Sequence, residues 1–162
     1  MSVVTLAVSA SLLLSSPPWH WFPDHKMKTA GWTYEVRDDR FANLKSCTLY
    51  RRSVTYANGT LTFHLPRDTD TSQAVYRIDD SAIQPWRVAA MELASDGISL
   101  QHDDLRNPSG GLVPIPVRRL TNAHLVIIRP NEKAKPVKFR VEGFSTAMAA
   151  ATAAGCAPQS FR

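Results

Sequence analysis

Cysteine is scarce in this chain, and charge is missing from its start. Only Cys47 and Cys156 occur in 162 residues. Two cysteines so far apart exclude a C-x-x-C redox pair and a zinc knuckle, which both need close spacing. One long-range disulfide or two buried thiols remain, and a disulfide persists only in an oxidising compartment. No Asp, Glu, Lys or Arg precedes Asp24. Within that uncharged start, VVTLAVSASLLL (Val3 to Leu14) has the length of a signal-peptide apolar core. It is too short to span a bilayer. The expected reading is a leader over 1–16 and export to the periplasm or beyond. The alternative is a cytosolic β domain with free buried thiols, in which this run joins the core. Clustered basic charge is also lacking. The formal net charge is +5, but the only tight basic pairs are Arg51-Arg52 and Arg118-Arg119. A nucleic-acid footprint concentrates on one face or one helix, so nucleic acid is not an expected partner.

What is present suits one globular domain. Hydrophobic residues make up 44% and charged residues 20%, enough for a core and too apolar for bulk disorder. Residues 17–30, around the Pro- and aromatic-rich SSPPWHWFPDHKMK, have no period and read as a spacer. The domain is expected over 31–158, with a tail over 159–162. In WTYEV, Trp32, Tyr34 and Val36 alternate with Thr33 and Glu35, the mark of a half-buried strand. CTLYRRSVTY follows, with Cys47 opening a second strand. The clearest local signal is SVTYANGTLTFHL, where Asn58-Gly59 separates two β-rich runs. Both central residues of a type I′ turn need positive φ, which Asn and Gly tolerate best. The turn explains these residues without invoking the glycosylation sequon that Asn58-Gly59-Thr60 also spells.

Further strands are read at AVYRI (74–78), WRVAAMEL (86–93), GISLQH (97–102), HLVIIR (124–129) and VKFRV (137–141). DDLRNPSGGLVP reads as loop and IPVRRLTNA as a short helix with Pro116 near its first turn. The chain then turns at Gly143 into an alanine-rich helix. Ser145 or Thr146 is its expected N-cap, and Phe144, Met148 and Ala151 form its apolar face. Gly155 stands where a left-handed C-terminal cap belongs, so Cys156 follows the helix end directly. A bond to Cys47 would staple that helix to the N-terminal sheet. The expected fold is mainly β: a sandwich or partly closed barrel of about seven to eight antiparallel strands, with the C-terminal helix packed on it.

The succession of WTYEV, a cysteine opening CTLYR, a hairpin, HLVIIR, VKFRVEGFSTAMAAA and a terminal cysteine resembles the invasion-associated locus B family of exported bacterial proteins. It also resembles small secreted alphaproteobacterial proteins. Gly143-Phe144 with Ala147, entering the alanine-rich helix, is the most specific piece. The resemblance covers about Gly31 to Cys156. It implies a β-rich exported domain of a Gram-negative bacterium, acting at the envelope or in host contact. It brings no catalytic residues.

Reactive constellations are few. His102 stands beside Asp103 and Asp104 in QHDDL, and a histidine oriented by a carboxylate is part of a hydrolase triad. No G-x-S-x-G surrounds the nearby Ser99 or Ser109. Metal binding by the three is disfavoured, because adjacent strand side chains point to opposite faces. Asp38-Asp39 and Asp79-Asp80 follow strand-like runs and read as turn formers. His64 and His124 read as surface residues. Trp19, Trp21 and Phe22 form the one aromatic segment outside the expected domain, a candidate interaction surface. The functional expectation is a non-enzymatic exported binding or envelope-interaction module with no cofactor or metal. A small hydrolase using His102 with Asp103 or Asp104 is the alternative.

Overall fold

The computed structural model describes residues 25–39, 44–98 and 110–156. Ten short strands and two helices lie among them. In chain order they are β1 (His25–Thr29), β2 (Trp32–Asp39), β3 (Leu44–Arg51), β4 (Val54–Ala57), β5 (Thr60–His64), β6 (Val75–Ile78), β7 (Gln84–Pro85), α1 (Trp86–Ser95), β8 (Leu112–Pro116), β9 (Leu125–Arg129), β10 (Val137–Arg140) and α2 (Phe144–Ala153). A single 3-10 turn, Val117–Leu120, follows β8. The strands form two antiparallel sheets, ordered β1-β2-β3-β4-β5-β8 and β10-β9-β6-β7. Neither closes into a barrel, so the sandwich-like form of the expected fold is the one adopted.

The first sheet begins as a meander, because β1 to β5 are neighbours in chain order. Asn58 and Gly59 have φ of +48° and +75°, the type I′ geometry expected of that dipeptide. Ala57 faces Thr60 across the turn. The CTLYRRSVTY segment forms two strands, reversed at Arg52 and Ser53, and Cys47 lies inside β3 rather than at its start. Alternation then sorts the side chains. Trp32, Leu49, Leu61, Phe63, Val113 and Ile115 are fully buried on one face. Tyr76, Val126 and Ile128 of the second sheet bury against the same core. Phe63 and Phe139 link the sheets edge to face, 5.2 Å between centroids.

Four readings depart from expectation. Residues 86–93 form helix α1, not a strand. Trp86, Ala89, Ala90 and Leu93 are its buried residues, spaced i, i+3, i+4 and i+7. That is a helical stripe, and Ala, Met and Glu favour it by propensity. The β1 strand lies inside the expected spacer. It is exposed at four of its five positions, so no alternation betrayed it; pairing with β2 forms it. The β8 strand runs from the end of the expected loop into the start of the expected short helix. Its Pro114 and Pro116 occupy a sheet edge, where a missing N–H breaks no ladder bond. The short helix expected at 115–123 is only the 3-10 turn.

The C-terminal helix is present and packed on the first sheet. Its N-cap is Gly143 rather than Ser145 or Thr146. Gly143 has φ +79°, and a Cβ there would sit 2.5 Å from the carbonyl oxygen of Ala30. The β1–β2 turn thus approaches too closely for any side chain. Ser145 donates its hydroxyl to the Thr121 carbonyl instead. Phe144, Ala147 and Ala151 are buried, with Met148 partly so. Phe144 packs on Trp32 and Tyr56 at 5.1 and 5.5 Å. At the far end Cys156 N–H donates to Ala151 O, and Gly155 N–H to Thr152 O. These are the paired bonds of a Schellman cap. Cys156, buried, then closes a disulfide with Cys47 of β3.

Candidate functional site

The expected reactive residues fall into two groups. His102, Asp103 and Asp104 lie outside the described residues, as do Trp19, Trp21 and Phe22. The described ones are dispersed. His25 lies on β1 near the Tyr34 ring, His64 closes β5, and His124 precedes β9. Asp79 is a turn former, with φ +46°. Its carboxylate accepts the backbone N–H groups of His124 and Leu125, the latter at 2.8 Å. Asp38 and Asp39 end β2 rather than following it. Among the described residues no group of three or more His, Cys, Asp or Glu is placed to hold a metal ion. None of their helices is long and apolar enough to cross a membrane.

Two charged clusters are structural clamps. Arg119, from the 3-10 turn, donates to Glu92 of α1 at 2.8 Å and also to Tyr76 and Gln84. It thereby ties α1 to β6 and β7. The Arg119 bond holds Glu92 below the ordinary glutamate range, against the opposing effect of burial. On the first sheet, Lys26 and Tyr50 both donate to Glu35, at 2.7 and 3.0 Å.

The feature suited to binding is a groove between the sheets, of about 900 Å³. One wall is the β3–β4 turn, Arg51 to Val54, with the end of β5 from His64 to Pro66. The other is strand β10 with Leu125. Val54, Leu65 and Phe139 are buried and give it an apolar floor. Arg51, Arg52, Lys138 and Arg140 rim it, and among the described residues no Asp or Glu lines it. Arg51 is engaged: it donates to the Glu142 carboxylate at 3.0 Å and to the Glu142 carbonyl at 2.9 Å. Burial is the largest single effect on Glu142 and works against its charge, but the Arg51 bond, a backbone N–H and the positive charges of Arg51 and Arg140 together outweigh it and keep that carboxyl below its ordinary range. Among the described residues, no carboxylate lies within salt-bridge distance of Arg52, Lys138 or Arg140. A smaller depression of about 220 Å³ lies on the second sheet, beside the exposed Ile83 and between Arg77 and Arg129.

The groove had partial sequence signals. Arg51-Arg52 stood out as a tight basic pair, and VKFRV read as a strand. Nothing local placed them opposite each other, since about ninety positions of chain separate Arg51 from Arg140. Compared with protein-family models, curated proteins and solved structures, the chain matches none.

Proposed function

We propose that this chain is an exported, non-enzymatic binding module acting at a bacterial envelope or in host contact, akin to the invasion-associated locus B family. The observation that carries the reading is the Cys47–Cys156 disulfide. It joins the first sheet to the end of the last helix, and such a bond persists in an oxidising compartment and is reduced in the cytosol. The uncharged, apolar start of the chain points the same way. The basic groove supplies a surface on which a partner could be held.

The test is the intact mass of the protein from its native host, fractionated by compartment and alkylated with and without reductant. The expected result is a chain outside the cytosol, shortened at its N-terminus, whose cysteines alkylate only after reduction. A full-length cytosolic chain whose thiols alkylate on denaturation alone would overturn export. It would return the N-terminal run to the core.

A further inference from the structure

One wall of the groove is a strand with an open side. β10 ends the four-stranded sheet, and its only partner among the described strands is β9. The Val141 N–H donates to the His124 carbonyl at 2.9 Å, just beyond the Arg140–Leu125 pair. Antiparallel pairing alternates, so Phe139 and Val137 exchange main-chain bonds with β9. The N–H and C=O groups of Lys138 and Arg140 face away from β9. Such an edge is a template for another strand unless something blocks it. The edges at β7 and β8 are blocked by proline: Pro85 leads directly into α1, and Pro114 and Pro116 stud β8. β1 is also an edge, but neither depression described above touches it. β10 has no proline, and the groove runs along it.

The side chains state what the edge would accept. Lys138 and Arg140 are exposed on one face of β10, while Val137 is half-buried and Phe139 buried on the other. A strand laid alongside sorts its own side chains into the same two rows, and directly opposed cross-strand pairs carry the pairing preference. Carboxylates suit the row beside Lys138 and Arg140, and apolar groups suit the row beside Val137. Arg52 across the groove adds positive charge without an opposing acid.

Resting on the binding-module reading and deepening it, we propose that β10 captures an extended acidic peptide segment by strand addition, with acidic and apolar residues alternating along that segment. Main-chain bonds to Lys138 and Arg140 hold the segment, and the two rows of side chains select it.

The test titrates the full oxidised chain, at physiological salt, with a short labelled peptide of alternating glutamate and valine. Two comparison peptides are used: one of the same composition with alternation broken, and one with lysine for glutamate. The alternating peptide should bind at least about tenfold more tightly than either, a difference of roughly one well-made charge-assisted hydrogen bond. Binding should slow hydrogen exchange at the Lys138 and Arg140 amides. Lys138→Pro removes an N–H that faces away from β9, so the fold should persist while affinity drops about tenfold or more. The double reversal Lys138→Glu with Arg140→Glu should do the same without touching the backbone, and it decides the matter should the proline variant misfold. Equal affinity for the alternating and scrambled peptides, unchanged amide exchange, or no binding would each overturn strand addition. These outcomes leave the cysteine-alkylation result untouched, so the failure of this proposal and the failure of export are separable.

Discussion

Reducing the Cys47–Cys156 bond should cost this protein a large share of its stability, and the size follows from where the sulfurs sit. The bond spans 109 positions of the chain. In the chain-entropy treatment, a loop near that length restricts the unfolded chain by about 4.7 kcal/mol at 25 °C. A whole domain is commonly stable by only about 5–15 kcal/mol. Urea slopes of about 1–3 kcal/mol per molar imply that the midpoint should fall by roughly 1.5 M or more. Oxidised and reduced wild type are the right pair to compare. They keep the same side chains, whereas a serine at Cys156 would bury a hydroxyl where only 2% of the residue is exposed. The assay is urea unfolding followed by tryptophan fluorescence, since Trp32 and Trp86 are buried. Amide exchange should show the effect unevenly. The amides of α2 should lose protection first on reduction, because the staple adjoins its C-terminal cap. A difference below about 1 kcal/mol between the two forms would refute the reasoning, since it is smaller than many single substitutions produce. It would mean that the unfolded chain is held compact by something other than the bond.

Three further outcomes are expected. Gly143→Ala should destabilise by about 2 kcal/mol or more, because the new methyl meets the Ala30 carbonyl and alanine resists positive φ; thermal unfolding reads it. Phe144→Ala should cost about 3–5 kcal/mol in urea unfolding, since it empties the space against Trp32 and Tyr56. Acidification should weaken the fold through Glu92. Its carboxyl is held below the ordinary 4.5 by Arg119, so the contribution is complete above 4.5 and is lost as pH falls through the lowered value. Unfolding midpoints measured from pH 6 down to pH 3 should therefore decline, and Glu92→Gln should flatten that decline; an unchanged slope in the variant would remove Glu92 from the account.

Much of the fold was legible because it was encoded over short stretches. The Asn58-Gly59 turn, the alternation in WTYEV and the Gly155 cap each depend on neighbours a few positions away. Helix α1 was equally local and was misread. Its stripe of Trp86, Ala89, Ala90 and Leu93 had a helical period, but the short run also suited a strand. β1 and β8 were not legible, for a different reason. One is exposed at four of its five positions and the other alternates prolines, so only pairing with β2 and β5 makes them strands. The N-cap of α2 was hidden in the same way: Gly143 answers to Ala30, more than a hundred positions earlier.

The candidate site shows the same division. The sequence by itself determined that β10 would be a strand with alternating basic and apolar residues, and that a cysteine would follow the last helix, because backbone sterics and side-chain period act within a turn or two. Only the tertiary structure decided that β10 ends its sheet, that Arg51 and Arg52 face it across a groove, and that Cys156 meets Cys47. Those are consequences of strand order and of which apolar faces bury together. They come from a core shared by the whole chain, and no short stretch of the chain contains them.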